Sequence, residues 1–339
     1  MQTLQQTKTV NVAAIQLEST HGSAHTNREH AGPFIEEAAR AGAQLVVLPE
    51  LFTTGYIPNE SIWDAAETQN GPTVTWLQQT SKQLGIYLGA GLLETDGKDF
   101  FNTFVLCDPN GQEAGRVSKI ETESYIFKRT SGSHVIHTAL GKIGVGICAD
   151  NQKATFLKQM AAEDIDLLLM PHGWPTPYKT NKQVSEKDIL DHQERTKRLP
   201  TLYAERLGVP VVFVNGVGSM GKIVGLLGKF MDPEIFRLEG SSRIVDSDRV
   251  VAGELGSDEG MLIYNVVLDP ARKHLSEPEN FNGWLLPGNA ISRKFIIPFD
   301  VTIGQIWYTL NPRRQRKAQA VTARAAIEKI YPRLRSEEK

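Results

Sequence analysis

The sequence predicts a layered α/β fold, and three observations lead to that class. Short apolar runs alternate with amphipathic helical stretches along most of the chain, hairpin-like pairs interrupt the alternation, and the composition is ordinary for a globular protein. The 339 residues are 40% hydrophobic and 22% charged, which provides enough apolar material for a sizeable core.

The first predicted elements alternate between buried strands and helices with one apolar face. Residues 10–17 are a predicted strand, and the amphipathic stretch 25–43 is a predicted helix that ends at a glycine-bearing turn. The short apolar run 44–50 predicts a second strand that ends at a proline and a glutamate. A helix predicted at 73–85 then leads into a strand at 86–94.

The later predicted elements are a hairpin, further buried strands and a terminal helix. The turn "PNG" at 109–111 joins two strand-like segments, which is typical of a hairpin. Alternating apolar and polar residues in the last strands indicate a sheet that is covered on one face. The segments are strands at 102–108, 114–120, 142–148, 165–171, 209–215, 241–248 and 261–269, and a helix at 313–331.

The chain divides near Pro270, where the alternation of strands and helices ends. We predict one main domain over residues 1–270 and a C-terminal extension over residues 271–339, which is rich in proline and aromatic residues. Left uncovered, its apolar side chains would form a larger patch than monomers usually expose. We expect a second subunit to cover them, and the alternative is that the extension folds back on its own subunit. The side chains are Phe281, Trp284, Ile306, Trp307 and Tyr308.

Charge and cysteine content exclude several classes of partner. The formal net charge is −2 and the pI is about 6.5, so no broad basic field is available to attract nucleic acid or an anionic membrane. The two cysteines, Cys107 and Cys148, are too few for a disulfide framework and are consistent with a reducing compartment. Neither a signal peptide nor an apolar run of about 18 residues is evident. We therefore expect a cytoplasmic protein with no nucleic-acid and no membrane partner.

Three chemically versatile side chains follow apolar runs. Glu50 comes after "LVVLP", Lys119 after "GRVS" and Cys148 after "KIGVGI". In layered α/β proteins ligands bind at the carboxyl ends of strands, so a carboxylate, an ammonium and a thiol at three such ends would form a plausible site. Taken singly, each has an ordinary explanation, namely a turn residue, a strand-end lysine and a packing cysteine.

The surroundings of these three residues resemble the nitrilase, or carbon–nitrogen hydrolase, superfamily. The resemblance rests on "VVLPELFTTGY" (46–56), "GRVSKIETESYIF" (115–127) and "GKIGVGICAD" (141–150), in family order. It implies a four-layer α-β-β-α sandwich, with residues 1–270 as the catalytic domain.

The resemblance also implies a catalytic set. The family's Glu-Lys-Cys triad maps onto Glu50, Lys119 and Cys148, and the family's second glutamate maps onto Glu123, with Glu121 as the competing candidate.

The chemistry of carbon–nitrogen bond hydrolysis fits these residue types. Attack on an amide or nitrile carbon needs a thiolate, and a free cysteine has a pKa near 8.5. Glu50 could take the thiol proton and later activate water. Lys119 and the backbone N–H of Ala149 could stabilise the negative charge on the tetrahedral intermediate, and Glu123 could hold Lys119 in place or share proton transfer. The eight histidines show no paired ligand spacing, so no metal and no other cofactor are expected.

Residues near the nucleophile predict the substrate class. Ala149 stands where many family members carry a bulky aromatic residue, and the "CAD" sequence is more similar to the amidase and carbamoylase branches than to true nitrilases. We expect Tyr56, His172 and Trp174 to contribute to the substrate pocket, although the segment around Trp174 could equally be a proline-rich loop packed on the core.

The sequence therefore predicts a thiol amidase that acts on a small amide through an acyl-thioester on Cys148. Nitrile and N-carbamoyl hydrolysis are the near alternatives, and acyl transfer to an amine is the next. An inactive binding or assembly subunit is the alternative from another class. The resemblance implies a homodimer or a larger even-numbered assembly.

Overall fold

Two packed β-sheets form the centre of the protein in the computed structural model, which describes residues 6–330. The first sheet combines parallel and antiparallel pairs, and its longest pair sets Lys8 opposite Leu268 and Gln16 opposite Gly260. In spatial order its strands are β16 (Gly260–Leu268), β1 (Lys8–Gln16), β2 (Leu45–Val47), β4 (Tyr87–Thr95), β5 (Phe100–Cys107) and β6 (Glu113–Ser118), and β3 (Glu67–Thr68) pairs with β4.

The second large sheet has a parallel centre and antiparallel edges. In spatial order its strands are β15 (Val251–Glu254), β14 (Arg243–Val245), β11 (Val211–Asn215), β9 (Leu167–His172), β8 (Gly141–Val145) and β7 (Val135–Thr138). A small third sheet contains β10 (Pro175–Pro177), β13 (Phe236–Glu239) and β12 (Val217–Gly218).

The two large sheets face each other across an apolar core to which both contribute. Strand β1 illustrates the pattern, since successive side chains of a strand point to opposite faces. Val10 and Val12 belong to the core between the sheets, together with Val145 of β8 and Val212 of β11. Ile15 belongs to the core on the outer face of the first sheet. The strands are buried on both faces, which explains their nearly continuous apolar runs.

Helices cover the outer faces of both sheets. The first is covered by α1 (Ala24–Arg40) and α2 (Pro72–Leu84), and the second by α3 (Ala154–Ala162) and α4 (Glu186–Leu207). The arrangement is helix, sheet, sheet, helix, so the predicted sandwich is confirmed.

Several predicted boundaries differ from the observed ones for identifiable reasons. Helix α2 ends where predicted, because Gly85 adopts the left-handed conformation with φ 67° that commonly terminates a helix. The strand predicted at 142–148 ends at Val145, because the chain then turns into a short 3₁₀ helix, Cys148–Gln152. Strand β7 was missed by the sequence analysis.

Beyond Pro270 the chain forms two helices, α5 (Ile297–Leu310) and α6 (Pro312–Ile330). The second was predicted, although its last predicted residue, Tyr331, lies outside the described residues, whereas the first was missed. None of the helices within residues 6–330 combines the length and the apolar character needed to cross a bilayer.

The C-terminal extension makes extensive contacts with its own chain. Tyr308 is buried, its ring meets that of Trp63 edge to face, and its hydroxyl accepts a hydrogen bond from the Phe100 N–H at 2.9 Å. An ion pair between Arg314 and Asp99 adds to this attachment. The extension therefore folds back in part on its own subunit, and its predicted role between subunits stays a prediction.

Candidate functional site

Glu50 lies at the end of the first sheet in a tightly connected buried position. It follows β2, and only 4% of its surface is exposed. One carboxylate oxygen accepts hydrogen bonds from Asn102 Nδ2 and Lys119 Nζ, both at 2.7 Å, and the other accepts one from the Gly173 N–H at 2.7 Å. Three donors thus fix the orientation of this carboxylate and stabilise its charged form.

Lys119 follows β6 and is completely buried between two carboxylates. Its Nζ donates to Glu50 Oε1 at 2.7 Å and to Glu123 Oε1 at 2.9 Å. Burial alone would lower the pKa of this ammonium, but the charges of Glu123 and Glu50 together raise the pKa well above its ordinary value. Lys119 is therefore a fixed positive charge at the centre of the cluster.

The two glutamates that compete for the second position lie in different surroundings. Glu123 contacts Lys119 and accepts a hydrogen bond from the Tyr56 hydroxyl at 2.9 Å. Glu121 instead pairs with Arg129 at 3.1 Å and with Lys153 at 3.6 Å. Of the two carboxylates, the structure brings that of Glu123 to the ammonium of Lys119.

Cys148 begins the 3₁₀ helix that follows β8, with an unusual positive φ of 48°. Non-glycine residues rarely adopt this conformation, and such strain is often retained at functional sites. Burial raises the pKa of the Cys148 thiol well above its ordinary value and the Glu50 carboxylate raises it further, whereas Lys119 and the Gly173 N–H act in the opposite direction. The resting thiol is therefore protonated and needs a base.

Cys107 differs from Cys148 in its surroundings. It lies fully buried at the end of β5, within the apolar core on the outer face of the first sheet. Burial raises the pKa of its thiol to about 12. Cys107 is therefore an inert packing residue.

Asp150 connects the turn that carries Cys148 to the loop that follows Lys119. Its Oδ1 accepts hydrogen bonds from the backbone N–H groups of Ile120 at 3.1 Å and Glu121 at 2.7 Å. Burial raises the pKa of this carboxyl to about 7, although the hydrogen bonds oppose the shift. The residue two positions after the cysteine thus joins the two large sheets.

The predicted substrate-binding residues lie at different depths. Tyr56 contacts Glu123 and is buried, and Ala149 is half-buried beside Cys148. Trp174 is buried next to Gly173, and its N–H donates to Asn215 Oδ1 at 2.8 Å.

His172 lies deeper than the other predicted pocket residues. It is completely buried, its ring packs 4.5 Å from that of Phe213 and 5.6 Å from that of Trp174, and Asn151 Nδ2 lies 2.9 Å from its Nε2. Burial lowers the pKa of His172 well below its ordinary value, so the ring is neutral. His172 supports Trp174 and the turn after Cys148 from behind.

Sequence analysis missed the groups that orient Glu50. Asn102 is 1% exposed on an otherwise apolar strand, and a polar side chain at such a position must find a partner. That mismatch was the available signal for Asn102. The contribution of Gly173 comes through its backbone N–H and leaves no trace in residue type. Within residues 6–330 no group of three or more His, Cys, Asp and Glu side chains is arranged to hold a metal ion.

Comparison with known sequences places the chain in a family. The carbon-nitrogen hydrolase model matches residues 11–273. "Nitrilase" of Pyrococcus abyssi is 33% identical over 176 residues, which cover 50% of this chain and 67% of that protein. N-carbamoylputrescine amidase of Solanum lycopersicum is 27% identical over 62% of this chain and 71% of its own length. The match to "Nitrilase 2" of Arabidopsis thaliana, at 29% identity, spans only about half of that protein, 55%.

Solved structures share the fold at low sequence identity. A carbon-nitrogen hydrolase from Helicobacter pylori G27 is 20% identical with a TM-score of 0.67, covering 78% of this chain and 91% of that one. An amidase from Nesterenkonia sp. AN1, carrying the acetamide moiety of fluoroacetamide on its active-site cysteine, is 20% identical with a TM-score of 0.62 and the same coverage. Because the family match spans most of the residues and the fold agrees, the chain belongs to the carbon–nitrogen hydrolase family.

Proposed function

We propose that this protein is a thiol amidase that hydrolyses a small amide through an acyl-thioester on Cys148. The observation that carries the proposal is the buried cluster of Glu50, Lys119 and Glu123 beside a strained cysteine. A buried ammonium held by two carboxylates costs free energy unless it has a purpose, and clusters with strongly shifted pKa values are typical of active sites.

In the acylation step, Cys148 Sγ attacks the amide carbonyl carbon while Glu50 takes the thiol proton. The base is needed because burial keeps the resting thiol protonated. Lys119 Nζ stabilises the developing oxyanion, and the Ala149 N–H is a second donor. The carbon–nitrogen bond then breaks, the leaving amine takes the proton from Glu50, and an acyl-thioester remains.

In the deacylation step, a water molecule replaces the amine. Glu50 takes one proton from the water, and the hydroxide attacks the thioester carbon. When the carbon–sulfur bond breaks, the thiolate of Cys148 regains the proton from Glu50 and the acid is released. The three donors on Glu50 hold its carboxylate in one orientation for both transfers.

N-carbamoyl hydrolysis is the second candidate, and one observation favours it. The match to the tomato N-carbamoylputrescine amidase covers more of this chain than the match to the Pyrococcus nitrilase, 62% against 50%. The same nucleophile and base would serve, with a carbamoyl carbon in place of an acyl carbon.

A panel of small amides, nitriles and N-carbamoyl amines, scored by ammonia release, tests the proposal. We expect the highest kcat/KM for an amide, and at least about tenfold less for the nitrile with the same acyl group, equivalent to about 1.4 kcal/mol. Cys148→Ala should abolish turnover, whereas the matched control Cys107→Ala should retain it. A nitrile preferred over its amide, or activity that survives Cys148→Ala, would refute the proposal.

A further inference from the structure

Two arginines share a small cavity next to the loop that carries Cys148. Arg195 comes from α4 and Arg293 from the C-terminal extension. About 260 Å³ of empty space, including the part open to solvent, lies between these side chains and Gln152, Trp174, Leu199 and Leu286. The cavity thus combines two cations with an amide and an aromatic ring.

The positive charge in this cavity is not balanced by neighbouring carboxylates. Among the residues that the structure describes, neither guanidinium has a carboxylate oxygen within 4 Å. Arg195 Nε donates to the Asp191 carbonyl at 3.0 Å, and Arg293 donates to the Leu286 carbonyl and lies over the Trp284 ring at 4.5 Å. Burial, and then the charge of Arg195, lower the pKa of Arg293 to about 10. An anion in the cavity would relieve this repulsion.

The cavity is adjacent to the nucleophile along the chain. Gln152 ends the 3₁₀ helix that Cys148 begins, and a 3₁₀ helix rises about 2 Å per residue, so the two backbones are about 8 Å apart along its axis. Trp174 follows Gly173, whose N–H donates to Glu50. The loops that position the reacting groups therefore also form the walls of the cavity.

The C-terminal extension is anchored to the nucleophile loop at this point. The Leu285 N–H donates to the Gln152 carbonyl at 3.0 Å, the Ala154 N–H donates to the Gly283 carbonyl at 2.9 Å, and Lys153 Nζ lies 3.9 Å from the centre of the Trp284 ring. These contacts fix the segment that leads to Arg293, which lies beyond the residues matched by the family.

We propose that Arg195 and Arg293 bind the carboxylate of the substrate, so that the preferred amides carry a carboxylate two or three carbons from the amide carbon. The guanidinium groups offer charge-assisted hydrogen bonds in the forked geometry that suits a carboxylate. This inference rests on the proposed amidase function and specifies its substrate class.

Matched substrates that differ only in charge test the inference. Succinamate and glutaramate carry a free carboxylate, and succinamide and glutaramide are their neutral counterparts. We expect the wild-type kcat/KM to favour the charged amides by at least about tenfold. Arg195→Gln and Arg293→Gln should each lower that ratio by about tenfold, and the exposed control Arg316→Gln on α6 should leave it unchanged.

The conservative variant Arg293→Lys separates binding from a structural effect. Because Arg293 also packs on Trp284, its replacement by glutamine could loosen the extension. Lysine retains the charge, so we expect it to restore part of the preference for charged amides. A wild-type enzyme with no such preference, or variants that leave the ratio unchanged, would overturn the inference.

A binding measurement on Cys148→Ala keeps the inference separate from the proposed function. We expect succinamate to raise the unfolding temperature of this variant more than succinamide or acetate does, and the difference to disappear when Arg195→Gln is added. If the wild-type enzyme hydrolyses no amide, the amidase proposal fails, and this measurement still decides whether the cavity binds a carboxylate. Equal stabilisation by acetate would overturn the assignment to a substrate and indicate a free anion.

Discussion

Lys119 has two roles that one substitution should reveal together. Besides stabilising an oxyanion, it neutralises the buried carboxylate of Glu50 and the partly buried one of Glu123. Removing one partner of a buried ion pair leaves uncompensated charge and typically costs about 3–5 kcal/mol of stability. The reacting centre is thus also a load on the fold that Lys119 relieves.

Lys119→Gln should therefore lower both kcat/KM and the unfolding temperature. We expect at least about a hundredfold loss in kcat/KM, the effect of removing one oxyanion donor, and a clear fall in the midpoint of thermal unfolding measured by circular dichroism. Lys187→Gln, at a position where 79% of the side chain is exposed, is the control and should change neither quantity. A variant with wild-type kcat/KM would contradict the role of Lys119.

Glu50→Gln should separate proton transfer from stability. Glutamine keeps the size of the side chain and one acceptor oxygen, but it cannot take a proton from Cys148 or from water. We expect turnover to be lost in both acylation and deacylation, so that stopped-flow kinetics detect no burst of ammonia. A burst that equals the enzyme concentration would show that another group deprotonates the cysteine.

Asn102 should act as a positioning residue through Glu50. Its Nδ2 donates to Glu50 Oε1, and a hydrogen bond to a charged group is worth about 1.5–3 kcal/mol, or about 10–100-fold in rate. We expect Asn102→Leu to lower kcat by that factor, to leave KM nearly unchanged, and to shift the acidic limb of the pH–kcat profile upward because Glu50 loses a donor. An unchanged pH profile would indicate a purely structural role.

Asp150 should make stability depend on pH in a predictable direction. Its carboxyl titrates near 4 in an unfolded chain and at about 7 in the folded protein. Between these values the folded state binds more protons, so the free energy of unfolding falls as the pH rises from about 4 to about 7.

Asp150→Asn removes that pH dependence. The difference in unfolding temperature, wild type minus variant, should decrease from about pH 4.5 to about pH 7.5. The exposed control Asp258→Asn should give a difference that stays constant over this range. Parallel curves for the wild type and Asp150→Asn would refute the assigned shift.

At the scale of elements, the end of β4 determines where Glu50 can lie. Gly91 exchanges hydrogen bonds with this turn, from its own N–H to the Pro49 carbonyl at 3.1 Å and from the Phe52 N–H to its own carbonyl at 3.0 Å. A Cβ at Gly91 would come within 2.6 Å of Glu50 Cα, where only backbone could move to make room. Close approach of two backbones explains a glycine inside this strand.

Gly91→Ala should therefore displace Glu50 and impair both folding and catalysis. We expect a loss of about 1–3 kcal/mol in stability from overpacking, together with a lower kcat. The matched control is Gly132→Ala, because a Cβ there would have no heavy atom within 4 Å. If both alanine variants behave alike in activity assays and thermal unfolding, the close approach at Gly91 is not limiting.

The elements that sequence could and could not predict differ in the kind of signal they carry. Strands buried on both faces leave continuous apolar runs, so β1, β4 and β11 were found close to their observed bounds. Helix α5 was missed because it contains a proline in its first turn and is apolar around most of its circumference. The turn at Cys148 was missed because the apolar pattern continues beyond the last residue of β8.

At the scale of the whole molecule, the site is assembled from both sheets. Glu50 and Lys119 follow strands of the first sheet, whereas Cys148 and Gly173 follow strands of the second. Asp150 connects the two across their shared edge. Sequence could place each residue at the end of a strand, but the distances between them depend on how the two sheets pack, which no local pattern encodes.

The outer face of α5 and the segment before it is the largest apolar feature that the chain leaves uncovered. The C-terminal extension buries Tyr308 but leaves an exposed row of apolar side chains, each 40–74% exposed. Monomers rarely expose such a patch, so we expect another copy of this chain to cover it. The row is formed by Ile291, Phe295, Phe299, Ile303, Ile306 and Leu310.

Phe299→Glu combined with Leu310→Glu should reduce the assembly to single subunits. Two charges on this row would oppose its burial, so the mass measured by light scattering should fall from that of a dimer or larger even-numbered assembly. Gln319→Glu, an exposed position on α6, should leave the mass unchanged. Truncation after Pro270 is a poorer test, because it would also uncover Trp63 and the N–H of Phe100, which Tyr308 contacts. A double variant that keeps the wild-type mass would show that α5 does not hold subunits together.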